Sequence, residues 1–193
     1  MKLHIYLFRH GQTYYNRDKT FTGWKDSKLT PKGVKDSKVI AKKLKNKKFQ
    51  VAYQTRLSRS KDTLKEVLKY HPECKEVITD DRMMERNYGE LQGKSHKEFI
   101  KKHGRKLFDI YHRSYDVPPP KGESVKMVEK RVKPFIKDLL RMMKKEKVNV
   151  AISAHGNSMR PFRRYFEKFS IKHMSEIENP WDDYFHYTIN VKG

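Results

Sequence analysis

Leu3-His4-Ile5-Tyr6-Leu7-Phe8-Arg9-His10-Gly11 begins as an apolar run and stops abruptly at Arg, His and Gly. Residues Leu3 to Phe8 read as a buried strand. A second stop of the same kind comes late: Val148 to Ala154 is an apolar strand, followed by His155-Gly156-Asn157-Ser158. Two strands that each end in His-Gly predict two imidazoles at one edge of one sheet. In open α/β sheets the carboxyl edge is where ligands bind. The pairing suggests a nucleophilic histidine inside a cationic pocket built for phosphate.

The segments between these strands alternate. Thr30-Pro31 opens a helix, with Thr as N-cap and Pro at the first helical position. Val34, Ala41 and Leu44, with Ile40 beside them, form its apolar face; Lys35, Lys38, Lys42, Lys43 and Lys45 form its solvated remainder. Phe49 to Tyr53 is a second strand, giving a βαβ unit with parallel pairing. Arg56 to Tyr70 is helical, with Leu57, Leu64, Val67 and Leu68 inward, and Glu76 to Thr79 is a short strand. Helical stretches fall around Lys97 to Tyr111, and Val117-Pro118-Pro119-Pro120 is an extended linker. Glu123 to Lys145 is a long helix carrying Val125, Val128, Val132, Ile136, Leu139 and Met143 at three- and four-residue steps. Asn157 to Phe169 is the next helix, and Tyr184 to Val191 a last strand at the sheet's edge. There is no internal repeat. The reading is one domain over residues 1–193, with residues 80–121 inserted over the site.

The 193 residues suffice for one domain with a substantial core. The net charge of +22 comes mostly from lysine and draws in anionic ligands. The lysines are spread along the chain and no nucleic-acid-binding motif accompanies them, so no specific nucleic-acid partner is expected. The single cysteine, Cys74, excludes an intrachain disulfide and fits a reducing compartment. No run approaches the roughly 18 apolar residues of a membrane span, and the N-terminal apolar segment is too short for a signal peptide. A cytoplasmic protein without a membrane partner is expected.

Phosphoryl transfer to a histidine needs a neutral nucleophile with one ring nitrogen free and the other held. It needs cationic and N–H donors for the developing charge, and a carboxylic acid of raised pKa to protonate the leaving oxygen. His10 fits the first role. Arg9, Arg59 and His155 fit the second, helped by the N-terminus of the helix at Asn157. Glu85, in Met84-Glu85-Arg86-Asn87-Tyr88-Gly89, fits the third. No convincing metal-ligand cluster is present, so no metal is expected.

These motifs resemble the histidine phosphatase superfamily and, within it, the 2,3-bisphosphoglycerate-dependent phosphoglycerate mutases. The resemblance runs from Leu3 to about Phe166. It is carried by Arg9-His10-Gly11-Gln12-Thr13 with Asn16, by Phe21-Thr22-Gly23-Trp24, and by Ala52-Tyr53-Gln54-Thr55-Arg56-Leu57-Ser58-Arg59. Glu85 to Gly93, Arg113-Ser114-Tyr115-Asp116, Gly122-Glu123-Ser124 and Ala154-His155-Gly156-Asn157-Ser158 complete it. The first and last motifs mark only the superfamily; the Thr22-Gly23 and Glu85 segments favour mutase.

The resemblance implies a three-layer α/β fold, with a mainly parallel central sheet flanked by helices on both faces and a mostly helical insertion over the site. It implies that His10 becomes a phosphohistidine, that Arg9, Asn16, Arg59 and His155 hold the transferring group beside Gly156 and Asn157, and that Glu85 is the general acid and base. It implies that Thr22, Gly23, Arg86, Tyr88 and Arg113 hold the rest of the substrate. The expected activity is interconversion of 3-phosphoglycerate and 2-phosphoglycerate, primed by 2,3-bisphosphoglycerate. The alternative is a phosphatase acting on bisphosphoglycerate or another small phosphomonoester.

Four departures from the family pattern follow. His96 stands where such mutases usually carry a lysine, with Lys94 and Lys97 nearby, and His112-Arg113 stands for two adjacent arginines. Both changes weaken fixed positive charge at the far end of the substrate. The short Pro120-to-Gly122 stretch lacks an insertion often tied to subunit contacts, so a monomer or small homo-oligomer is expected. The chain also ends soon after its last strand, where longer mutases carry a covering tail. That predicts an open site and more hydrolysis of the phosphoenzyme.

Overall fold

A computed structural model describes residues 1–192. The strands are β1 (Lys2–Arg9), β2 (Val51–Gln54), β3 (Glu76–Thr79), β4 (Val150–Ala154) and β5 (Tyr184–Asn190). The helices are α1 (Tyr14–Arg17), α2 (Pro31–Leu44), α3 (Ser58–Leu68), α4 (His96–His103), α5 (Arg105–Arg113), α6 (Val125–Glu146), α7 (Gly156–Glu167) and α8 (Ile171–Glu176). The sheet runs β3-β2-β4-β1-β5, all parallel except β5, which lies antiparallel to β1 at one edge.

The period-2 alternation of β1 feeds two cores. Leu3, Ile5 and Leu7 pack with α6 and α7 side chains, among them Val132, Ile136, Leu139 and Phe162. Tyr6 and Phe8 pack on the opposite face with Ile40, Ala41 and Leu44 of α2 and Leu64 and Val67 of α3. A strand buried on both faces reads as a continuous apolar run, which is why β1 and β4 stand out in the sequence. Thr30 caps α2 by accepting from Gly33 N at 3.0 Å, and Pro31 opens it. Val34 is only half-buried; the small residues Gly33 and Ser37, with Asp36, take the first turns of the buried face.

Element boundaries shift for local reasons. Strand β4 starts at Val150 because Lys147 ends α6 in the left-handed region (φ 56°) and Asn149 N is taken by Gln50 Oε1. Helix α3 starts at Ser58 because Leu57 is extended and the Arg56 and Ser58 amides are bound by Asp81 and Asp26. The 97–111 region is two helices, broken at Gly104 (φ 87°), which an L side chain rarely adopts. Helix α7 stops at Glu167, where Lys168 turns left-handed. The linker 117–120 forms neither helix nor strand, as expected.

Candidate active site

The register of the sheet brings the two His-Gly stops together. Arg9 pairs with Ala154 across β1 and β4, and His10 N donates to Ala154 O at 3.1 Å. The imidazoles of His10 and His155 consequently lie side by side, with ring centroids 5.0 Å apart. Helix α3 is laced to both strand ends. Thr63 Oγ1 accepts from Gly11 N, and Ser60 and Ser153 exchange hydrogen bonds between each hydroxyl and the other's carbonyl. That fixes Arg59, one turn earlier on α3, beside both rings. The turn after β1 also needs Gly11: a Cβ there would meet Gly33 O at 2.1 Å.

His10 Nδ1 lies 2.7 Å from Gly11 O. A carbonyl only accepts, so Nδ1 carries the proton and Nε2 keeps its lone pair. Burial, then Arg59 and Arg9, hold His10 well below the ordinary imidazole value; burial, Arg59 and His10 do the same to His155. Both rings are therefore neutral at neutral pH. His155 Nε2 lies 2.7 Å from Thr55 Oγ1 at the end of β2, and its buried Nδ1 has no partner. Fixed positive charge at this end comes from Arg9 and Arg59. Burial lowers Arg59 to about 10, which leaves it charged. It donates to Gly23 O (2.7 Å) and Lys25 O (2.8 Å), tying the Thr22–Lys25 turn to the site. Gly23 itself is left-handed (φ 57°), and a Cβ there would strike Gln92.

Glu85 approaches from the other side. Its Oε1 accepts from Arg86 N (2.7 Å) and from Asn157 N (3.2 Å) at the start of α7, so the carboxylate sits on a helix N-terminus. Its segment is clamped to α6 by Arg131, which donates to the carbonyls of Arg82, Met84 and Glu85 and pairs with Glu123 at 2.9 Å. Arg131 is a positioning residue that the sequence reading did not identify.

A cavity of about 450 Å³ joins these groups. Arg9, His10, Asn16, Thr22, Gly23, Arg59, Glu85, Tyr88, Arg113, Gly156 and Asn157 line it, as do His96 and His112. His155 sits directly behind His10. Asn16 Oδ1 is spent on Thr13 in a capping box, which leaves its amide hydrogens for a ligand.

Arg86 departs from expectation. It does not line the cavity; it is fully buried, donating to Glu123 O (2.6 Å) and His112 O (3.4 Å) and lying over the Tyr88 ring. It braces the wall behind the site. Lys94 and Lys97 are exposed and do not line the cavity either, whereas Lys19 does.

Arg160 and Glu178 at the far end, and Asn179 and Trp181 against Arg9, also line the cavity and were not found by the sequence reading. Arg160 was findable: it lies three residues after Asn157 on α7 and so shares its face. His96 and His112 pack against Phe21 and Phe108. Burial, then Lys19, pushes His96 down to about 4. Burial, then Arg113 and His96, pushes His112 down to about 3. Both are neutral at neutral pH. Among the described residues no three His, Cys, Asp or Glu side chains gather as a metal site.

A sequence model of the histidine phosphatase superfamily (branch 1) matches residues 5–189. The chain belongs to this superfamily. Within it, the chain is an enzyme of the phosphoglycerate mutase or related phosphatase type. The 2,3-bisphosphoglycerate-dependent phosphoglycerate mutase of Parvibaculum lavamentivorans is 39% identical over 171 residues, covering 86% of this chain and 80% of its own. Among solved structures, phosphoglycerate mutase from Bacillus anthracis superposes with a TM-score of 0.70 at 24% identity, covering 86% of this chain and 81% of its own. One titled mycobacterial hydrolase 1 superposes with a TM-score of 0.84 at 20% identity, covering 97% of this chain and 92% of its own. At these identities the structural likenesses speak for the fold alone. The three-layer α/β architecture read from the sequence is the observed one.

Proposed function

We propose that the chain interconverts 3-phosphoglycerate and 2-phosphoglycerate through phospho-His10. The observation that carries this reading is the His10 tautomer: Nδ1–H is held by Gly11 O and Nε2 is free, in a pocket whose fixed charges are Arg9 and Arg59. With His10 phosphorylated, the free hydroxyl of 3-phosphoglycerate attacks phosphorus as the bond from phosphorus to Nε2 breaks, giving a bound bisphosphorylated glycerate; Nε2 then attacks the other phosphorus as its bond to the C3 oxygen breaks. Arg9, Arg59, Asn16 and the amides at the start of α7 take the charge spreading over the phosphoryl oxygens. Glu85 takes the proton of the attacking hydroxyl in the first transfer and gives it to the departing oxygen in the second.

Priming by 2,3-bisphosphoglycerate, named in the relatives, would supply the phosphoryl group that first loads His10. The residues present fit such a group. Arg9, whose buried Nε has no partner, would hold its transferring phosphate, and Arg113, Arg160 and Lys19, which line the cavity, would hold its other end.

One observation favours the second reading, a phosphatase for a small phosphomonoester: the neutral His96 and His112 leave part of the distal wall without charge. The test is an assay with 3-phosphoglycerate, with and without trace 2,3-bisphosphoglycerate, following 2-phosphoglycerate and free phosphate in metal-free buffer. The expected result is isomerisation that depends on the trace bisphosphate, with little phosphate released. Phosphate release without isomerisation assigns the phosphatase.

A further inference from the structure

The arginines at the far end of the cavity already face an anion, and it belongs to the chain itself. Arg113 Nη2 donates to Glu178 Oε1 at 2.8 Å, and Arg160 Nη2 lies 4.0 Å from the same oxygen. All three side chains line the cavity. We propose that Glu178 is an internal competitor for the carboxylate end of the substrate, seated on Arg113 beside Arg160 until a phosphorylated acid displaces it. The inference rests on the phosphoryl-transfer reading of this site and concerns only its distal end.

The geometry separates fixed partners from a movable one. Arg160 is buried, and its Nη1 donates to Met174 O and Ser175 O, both at 2.9 Å. Arg113 Nη1 leans on Ser175 O as well, at 3.4 Å. Those carbonyls lie in the last turn of α8, so both guanidinium groups are anchored from behind. The Glu178 side chain is 70% exposed, against 9% for Arg160. Its neighbour Asn179 is buried and pinned: its carbonyl accepts from Arg9, its Nδ2 donates to Gly156 O, and its Oδ1 accepts from Arg163. The backbone there is therefore tied to the transfer end, and rotation of the Glu178 side chain alone clears the arginines.

A substrate carboxylate has the same charge and the same two-oxygen geometry as the Glu178 carboxylate, so it can replace Glu178 on Arg113 bond for bond. While Glu178 is seated, the net fixed charge of Arg113, Arg160 and Glu178 is that of one cation rather than two. A ligand with a carboxylate pays for the exchange; a phosphomonoester without one does not. An exposed ion pair of this kind weakens binding by only about threefold to tenfold once repulsion between the two carboxylates is included. Glu178 therefore tunes discrimination, not the transfer step.

The test is calorimetric binding of 3-phosphoglycerate and of glycerol 3-phosphate, which shares the skeleton but lacks the carboxylate. It is run on the wild-type protein, Glu178→Gln, Arg113→Met and the double variant. The preference for 3-phosphoglycerate, taken as the ratio of the two dissociation constants, is expected to rise about threefold to tenfold in Glu178→Gln. In the Arg113→Met background the same change should add less than it does in the wild-type protein. Two binding ligands with an unchanged ratio in Glu178→Gln would overturn the Glu178 proposal and leave the function standing. Failure of both ligands to bind, with no phosphoryl label on His10, would overturn both.

Discussion

The two ends of the cavity are built by opposite means. At the transfer end His10, Arg59 and Glu85 are buried and tied to backbone: His10 to Gly11 O, Arg59 to Gly23 O and Lys25 O, Glu85 to the amides of Arg86 and Asn157. At the distal end the wall carries aromatic rings and neutral imidazoles, and the exposed Glu178 opposes the arginines beside it. The first arrangement suits chemistry, because a dry, pre-set array of donors needs no rearrangement as charge develops. The second suits selection, because a side chain at a solvent-exposed rim changes affinity by small factors without touching the reacting atoms.

Removing the proposed nucleophile tests the contrast most severely. His10→Ala is expected to lower kcat at least about 10³-fold and to abolish acid-labile phosphoryl labelling of the protein. Retention of label would move the nucleophile elsewhere and dissolve the transfer end as described. Arg59→Met comes next. Loss of one buried cation aimed at the transferring group is expected to cost about 10²- to 10³-fold in kcat, read by steady-state kinetics. An effect confined to KM would place Arg59 with the groups that only bind.

The transfer end was legible in the sequence because its geometry is written into strand ends. β1 and β4 each stop at His-Gly, and parallel neighbours in register set those stops side by side. The distal end was less legible because its members come from unrelated segments. Lys19 reaches the cavity from the turn after α1, where it is left-handed (φ 51°), and no spacing announces that. Glu178 lies on the irregular stretch before β5, which the motif reading did not cover. The resemblance gave Arg86 a place on the substrate, yet Glu85 faces the cavity while Arg86 turns back to the carbonyls of Glu123 and His112. Arg131 was hidden because one face of α6 carries the core positions and says nothing of a guanidinium that reaches across to clamp the Glu85 segment.

The smallest expected effect bears on the neutrality of the distal wall. His112 sits at about 3 in the folded chain, held there chiefly by burial, whereas an unfolded histidine titrates near about 6.5. Between those values the unfolded chain binds a proton at this position that the folded chain does not. The stability contributed by the neutral, buried ring is therefore complete above about pH 6.5 and is lost as acid approaches the folded value. His112→Phe keeps a flat ring among Phe21, Phe108 and His96 but cannot take the proton. Melting temperature measured from pH 7 to pH 4 should fall more steeply for the wild-type chain than for this variant, by up to one proton, or about 1.4 kcal/mol per pH unit. Parallel curves would mean that His112 charges within the folded protein. The distal wall would then gain positive charge in mild acid, and the contrast between the two ends would depend on pH rather than on the fold.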